Sequence, residues 1–320
     1  GMATAYAEST LAQLYKVRDG EGQYRGGPAF YLSKGLKAPW AGSIFSVCLI
    51  ISFGLVFNAV QANSIADAME GAFGFNKLVV GIAIALVAAV VIFGGLRSIA
   101  RFAEFVVPFM AAAYVLMALV VLAMHYDEVP GVLATIVRSA FGLEEAAGVV
   151  AGSVTAAMLN GIKRGLFSNE AGMGTAPMVH ATAQTYHPFQ QGVWGAFEVF
   201  FDTIVICSIT ALAILSTGAM ASGESGIELL LVAFSEVFSP SVAALIVSGA
   251  IATFCLSTQI GSYVYFETSF VSLVGEGPFR VLRWIYFLPG IAVAGVADVD
   301  RMWLVANIAV AAKKSREDCI

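Results

Sequence analysis

The sequence predicts an all-α polytopic membrane protein, a single transmembrane domain over residues 1–320, and three observations carry that expectation. The chain is 59% hydrophobic and 12% charged, with a mean hydropathy of +0.83, whereas soluble domains carry roughly 25% charged residues. Several apolar stretches approach or exceed the ~20 residues that a helix needs to cross a bilayer, and none shows the sustained alternation of a membrane barrel. Lys and Arg also segregate by loop. Five fall in 16–37, two in 97–101, two in 280–283 and three in 313–316, against Lys77, Arg138 and Arg301 in the alternate loops. By the positive-inside rule the first group is cytoplasmic.

In chain order, residues 1–14 read as the end of a helix carrying Glu8. A polar loop follows over 16–39, with Asp19-Gly20, Gly26-Gly27-Pro28 and Lys34-Gly35 as turn signals. The first complete span is 42–66, a link at 67–76 leads to a second at 78–93, and Gly94-Gly95 turns the chain into 102–124, where Pro108 is a kink candidate. Mixed composition over 125–147 predicts an amphipathic extramembrane helix near 132–141. After a broken segment come a span at 193–215, a Gly/Ser/Glu loop at 216–226, a short helix to Val237, and spans at 241–266 and 280–296, the latter interrupted by Pro289-Gly290. The last apolar run, 303–312, is short for a crossing. The loops alternate correctly only if the broken segment crosses once.

That segment is Lys163-Arg-Gly-Leu-Phe-Ser-Asn-Glu-Ala-Gly-Met-Gly-Thr-Ala-Pro-Met-Val-His180. Ser168, Asn169, Glu170, Gly172, Gly174 and Pro177 stand where a lipid-facing helix needs aliphatic residues. Irregular backbone at membrane depth is tolerated only inside protein or beside water, so the pattern predicts a discontinuous helix at a ligand site. Its exposed carbonyls favour an ammonium or small cation and its amides a carboxylate, a pairing that suits a zwitterionic amino acid. A glycine kink for helix packing would use the same residues.

Other polar groups are fewer. Gln61, Asn63, Ser64 and Asp67 close the first span, and Gln61 and Ser64 share a face that meets either another helix or a ligand. Ser257, Thr258, Gly261 and Ser262 offer hard oxygens of the kind sodium takes, although such hydroxyls commonly bond back to their own helix. His180, Asp202 and Glu267 read as packed or paired groups. Cys48, Cys207, Cys255 and Cys319 have no metal or disulfide spacing and read as small buried hydrophobes. The net charge of −5 includes no basic patch for nucleic acid, and Gly172-Met-Gly174 lacks the lysine of a phosphate loop.

Residues 164–177 closely resemble the signature of the alanine or glycine:cation symporter family, the sodium:alanine symporters. The match extends through Tyr6-Ala-Glu8, Gly26-Gly-Pro28 with Tyr31, Val60-Gln-Ala-Asn-Ser-Ile-Ala-Asp67, His180-Ala181, His187-Pro188, Gln191-Gly192, Phe201-Asp-Thr203 and 254–267. The resemblance implies a leucine-transporter-type inverted-repeat fold with discontinuous helices. It implies an amino-acid pocket lined by Gln61, Phe167, Ser168, Asn169, Gly172 and Gly174, and a sodium site at Ser257 and Thr258. It assigns no ligand role to Lys163 or Arg164.

Nothing here matches the family's Gly-Thr-Gly-Asn break in its first core helix, and Ala297-Asp298 and Asn307 fit its later pattern only loosely. The sequence, opening at Gly1 without a basic leader, is therefore expected to be incomplete at both ends and not to transport by itself. The function expected is symport of alanine or glycine with sodium, or with protons, across the cell membrane, with no cofactor besides the co-transported ion and no catalysis. The rival readings are a channel with a re-entrant broken helix and a membrane enzyme using Glu170 and His180 as acid and base.

Overall fold

A computed structural model describes residues 1–20, 22–140, 158–159, 161–162, 165, 168–224 and 226–287, without the side chains of 280–282. The expected run at 303–312, most of the span at 280–296, Phe167 and the first part of the broken segment lie outside the described residues.

The described residues are mostly helical. In order they form α1 (Met2–Tyr15), a small antiparallel hairpin of β1 (Val17–Arg18) and β2 (Tyr24–Arg25), α2 (Pro28–Lys34), α3 (Pro39–Phe73), α4 (Lys77–Phe93), α5 (Gly95–Met124) and α6 (Val129–Ala140). Then come α7 (Ala176–His180), α8 (Pro188–Ser216), α9 (Gly226–Ser235), α10 (Pro240–Val274) and α11 (Glu276–Leu282), closed by a 3-10 turn at Arg283–Phe287. Among the described residues, α3, α8, α10 and the Leu96–Met124 part of α5 are long and apolar enough to cross a membrane. The 17-residue α4 reaches about 25 Å at 1.5 Å per residue, near the lower limit for a span. Pro108 lies inside α5 and Gly95 adopts a φ of 77° at its start.

Two corrections to the sequence expectations concern polar stretches. The region 16–39 is ordered structure: Arg25 on β2 donates to Asp19 Oδ2 and, from Nη2, to Glu267 Oε1 on α10, both at 2.9 Å. Burial opposes the Arg25 charge, but Glu267 and Asp19 outweigh it and hold the guanidinium above its ordinary pKa. Because Glu267 is neutralised there, α10 runs two turns past it, to Val274. Likewise α3 continues to Phe73, because Lys77 pairs with Asp67 at 2.6 Å and Glu70 at 3.0 Å. Gly74, at φ 69°, then ends that helix, and Asn76 Oδ1 caps α4 by accepting from Leu78 N at 2.9 Å.

The chain divides into two compact units. The first comprises Gly1–Met110, Ala171–Phe197 and Ser248–Ile320. Its core joins Ala88 and Ile92 of α4 to Ile260, Tyr263, Val264 and Phe266 of α10 and to Phe279, Tyr286 and Phe287. Aromatic edges fill it, with Tyr263 and Phe266 each 5.3 Å from the Tyr286 ring. Over Ile50–Phe57 α3 is wound as a π-helix, Phe53 stacks on Phe57 at 4.2 Å, and Gly54 lies against α10 so closely that a methyl there would sit 2.5 Å from the Phe266 ring.

The second unit comprises Ala111–Glu170 and Glu198–Val247. Tyr114 of α5 shares a 2.7 Å hydrogen bond with Thr210 of α8 and stacks on Phe234 of α9. The amphipathic helix expected near 132–141 is α6, none of whose residues is buried.

Among the described cysteines, Cys48 and Cys255 are half-buried and Cys207 exposed, all as free thiols, rather than the buried groups expected. Apolar composition around a thiol does not by itself distinguish core from surface in a chain this hydrophobic.

Gly54→Ala should destabilise the detergent-solubilised protein by about 1–3 kcal/mol through overpacking against Phe266. Gly71→Ala, with open space around it, should be neutral or stabilising by up to ~1 kcal/mol, and thermal unfolding of both variants checks the contrast. A double-mutant cycle of Arg25→Met with Glu267→Gln should return a coupling of about 1–2 kcal/mol, read from the same unfolding curves.

Candidate functional site

The expected break is present. Ser168 and Asn169 are helical, the backbone leaves the helix from Glu170 through Thr175, and α7 resumes with Pro177 in its first turn. Three left-handed residues make the interruption: Glu170 at φ 52°, Gly172 at 85° and Gly174 at 69°. A non-glycine residue in that region is uncommon and is held there by its surroundings. Gly174 is required twice over, because a methyl on it would lie 2.4 Å from Pro28 Cγ and 2.8 Å from the Phe45 ring.

Within the first unit, the segment after the break sits in a cradle. Gly26 and Gly27 let the chain before α2 come against Ala181 and Met178, where a methyl would lie 2.5 and 2.6 Å from the respective side chains. Met178 is fully buried and His180 nearly so. On the other side lies α1, whose Gln13 amide donates to the His180 carbonyl and to Ala183 O at 3.0 Å. Lys16 Nζ donates to Gln13 Oε1 at 2.6 Å and Ala183 O at 2.8 Å, and partial burial draws its pKa below the ordinary lysine value. His180 Nδ1 meets Gln191 Oε1 at 2.6 Å. Gly192 and Gly195 bring the start of α8 onto α1, facing Tyr6 and Thr10, and Ala5 and Ser9, respectively. At the break itself the Gly172 N–H donates to Glu8 Oε2 at 3.1 Å, so this amide meets a carboxylate of the protein's own.

In the second unit the helical residues before the break meet a π-wound stretch of α8, Phe201–Ile206. Ser168 Oγ donates to Asp202 Oδ2 at 2.7 Å, and Asn169 Nδ2 to Thr203 Oγ1 at 3.1 Å. The wider winding turns two consecutive polar side chains toward Ser168 and Asn169, a device common at functional sites.

The remaining expected residues lie on α3 and α10. Gln61 is half-buried and its side chain has no hydrogen bond among the described residues. One turn earlier, buried Asn58 accepts from Gln259 Nε2 and donates to the Tyr286 carbonyl, while Tyr286 OH donates to Gln259 O. This bond joins α3 to α10 within about a turn of both Gln61 and the Ser257-Thr258 pair. Ser257 Oγ donates to Phe254 O at 2.9 Å, within its own helix, and Thr258 is half-buried beside it. Among the described residues no cluster of His, Cys, Asp and Glu could hold a metal ion. Sequence reasoning assigned no role to Glu8, Asn58, Thr203 or Gln259; the signals available were a polar side chain in an apolar helix and, for Glu8, Thr203 and Gln259, a place in stretches that carry the family resemblance.

A family model described as the sodium:alanine symporter family matches residues 1–314. The chain belongs to the sodium:alanine symporter family. It is 46% identical to the amino-acid carrier protein AlsT of Bacillus subtilis over 84% of this chain and 57% of that protein. It is 43% identical to the probable sodium/glutamine symporter GlnT of the same organism, over 96% of this chain and 64% of that one. To the sodium/alanine symporter AgcS of Methanococcus maripaludis it is 37% identical, over 96% of this chain and 68% of that protein. The chain thus spans about three fifths of the length of the first two of these relatives.

Gly174→Ala combines left-handed strain with a clash against Pro28 and should lower folded yield and thermal stability more than Gly172→Ala, whose methyl meets only Thr4 Cγ2, at 3.3 Å. The expected difference is about 1–3 kcal/mol, read by size-exclusion profile and thermal unfolding.

Proposed function

We propose that the protein is a secondary symporter that couples sodium entry to uptake of alanine or glycine across the cell membrane. The observation that carries this reading is the left-handed break at Glu170, Gly172 and Gly174 in an apolar chain of this family. Broken helices supply a transporter with backbone groups for substrate and ion near mid-membrane. Gln61, Phe167, Ser168, Asn169, Gly172 and Gly174 line the amino-acid pocket, and Ser257 and Thr258 contribute neutral oxygens to sodium. Two inverted repeats of the leucine-transporter type would rock to expose the site alternately.

Coupling requires that sodium and amino acid each bind better when the other is present, by the same factor. The names of the relatives AgcS and GlnT, one for alanine and one for glutamine, make side-chain size the specificity question. The half-buried Gln61 amide, with no protein partner among the described residues, supports a ligand-facing role for it.

Proteoliposomes holding the full reading frame that contains these residues should accumulate alanine under an inward sodium gradient, with saturation and with competition by glycine. A proton gradient alone should not drive uptake. Flux without saturation would favour a channel, and absence of uptake under either gradient would sink the symport reading. Gln61→Ala should raise the KM for alanine about tenfold, the usual effect of losing a hydrogen bond to a charged ligand group.

A further inference from the structure

We propose that Glu8 is a positioning residue of the transport site, acting through the backbone of the break rather than by touching the substrate. Glu8 stands on α1 with its side chain directed at the left-handed turn, accepting the Gly172 N–H on Oε2 at 3.1 Å, and the residue is 8% exposed. One helical turn earlier on the same face, Thr4 is the neighbour that a methyl at Gly172 would meet, at 3.3 Å. Two side chains of α1 therefore bracket one peptide of the break, and the carboxylate holds that peptide by a charge-assisted bond stronger than a neutral one.

The peptide held is the one that needs holding. Gly172 lies between the other two left-handed residues, Glu170 and Gly174, and glycine has the largest conformational freedom to lose. A bond to its N–H at φ 85° selects one orientation of the Glu170–Thr175 carbonyls and amides from many. The rest of α1 is anchored too firmly to follow a loose turn: Gly192 and Gly195 of α8 lie against it, and Gln13 grips His180 O and Ala183 O beyond the break. The carboxylate thus stands on a helix held by contacts to α8 and to residues beyond the break, and the Gly172 N–H meets it there. Its negative charge also occupies the amide that a substrate carboxylate would otherwise take, so the Gly172 end of the site is suited to the ammonium or sodium half of the ligand pair.

This inference rests on the symport reading for its consequence but not for its geometry, and the test separates the two. Glu8→Gln keeps an acceptor, whereas Glu8→Met keeps the volume with none. Hydrogen exchange of the peptide containing 170–175 is measured in detergent, and alanine uptake in proteoliposomes of the full reading frame. In Glu8→Met, Gly172 should lose about tenfold in protection while peptides around Asn58 and Gln259 stay unchanged. The KM for alanine should rise about tenfold with little change in maximal rate, and Glu8→Gln should restore both to within about threefold. Where Glu8→Met is not recovered folded, Glu8→Asp withdraws the carboxylate by one methylene and should show the same local loss. Unchanged protection at Gly172 overturns the proposal, as does an equal loss in Glu8→Gln and Glu8→Met. Loss of protection at Gly172 in Glu8→Met, together with a wild type that takes up no alanine, supports the positioning role and defeats the symport reading instead.

Discussion

The hydrogen bond from Gly172 N–H to Glu8 expresses the constraint on which the rest of the structure depends. Lipid offers no partners to peptide groups, so a helix that stops inside a membrane must find partners within the protein. In the first unit, other elements close around the residues of the break from Ala171 onward. α1 supplies Glu8 and Gln13, Gly26 and Gly27 supply a surface without side chains, and Pro28 of α2 and Phe45 of α3 lie against Gly174. Glycines recur wherever these elements meet, since each contact brings backbone to within a methyl's radius of its neighbour.

The same logic governs polar groups elsewhere in the apolar helices. Asn58, Gln259 and Tyr286 are buried together and hydrogen-bond one another across three elements, with Gln259 Oε1 left without a partner among the described residues. Asp202 and Thr203 receive bonds from Ser168 and Asn169 because a π-wound stretch presents them side by side. A second such stretch, Ile50–Phe57, ends at Asn58, one turn before Gln61. Both irregular windings thus lie next to residues that the family resemblance places in the substrate pocket.

Charged groups mark the helix ends. Lys77 between Asp67 and Glu70, and Arg25 between Asp19 and Glu267, neutralise carboxylates within long helices and let those helices run further than their hydropathy indicates. The 16–39 region, rich in turn residues, is organised by the second of these networks. Arg25 of its hairpin pairs with Glu267, 242 residues away, and local composition holds no trace of such a partner; α2 packs against α1 and α3.

The sequence by itself determined the helical membrane class, the boundaries of α4 and α8 to within a few residues, the turn at Gly94-Gly95, and the break at Gly172 and Gly174. Each follows from a local rule: apolar length, turn chemistry, or glycine where a continuous helix would fail. Gln61, Ser168 and Asn169 were legible as polar residues out of place in apolar runs. Only the tertiary structure decided what such residues touch: Asp202 for Ser168, Thr203 for Asn169, Glu8 for Gly172, and Gln259 for Asn58. Those pairs join residues from 34 to 201 positions apart. A pattern of period 3.6 assigns a residue to a helix face, but its partner is set by which helices pack against that face.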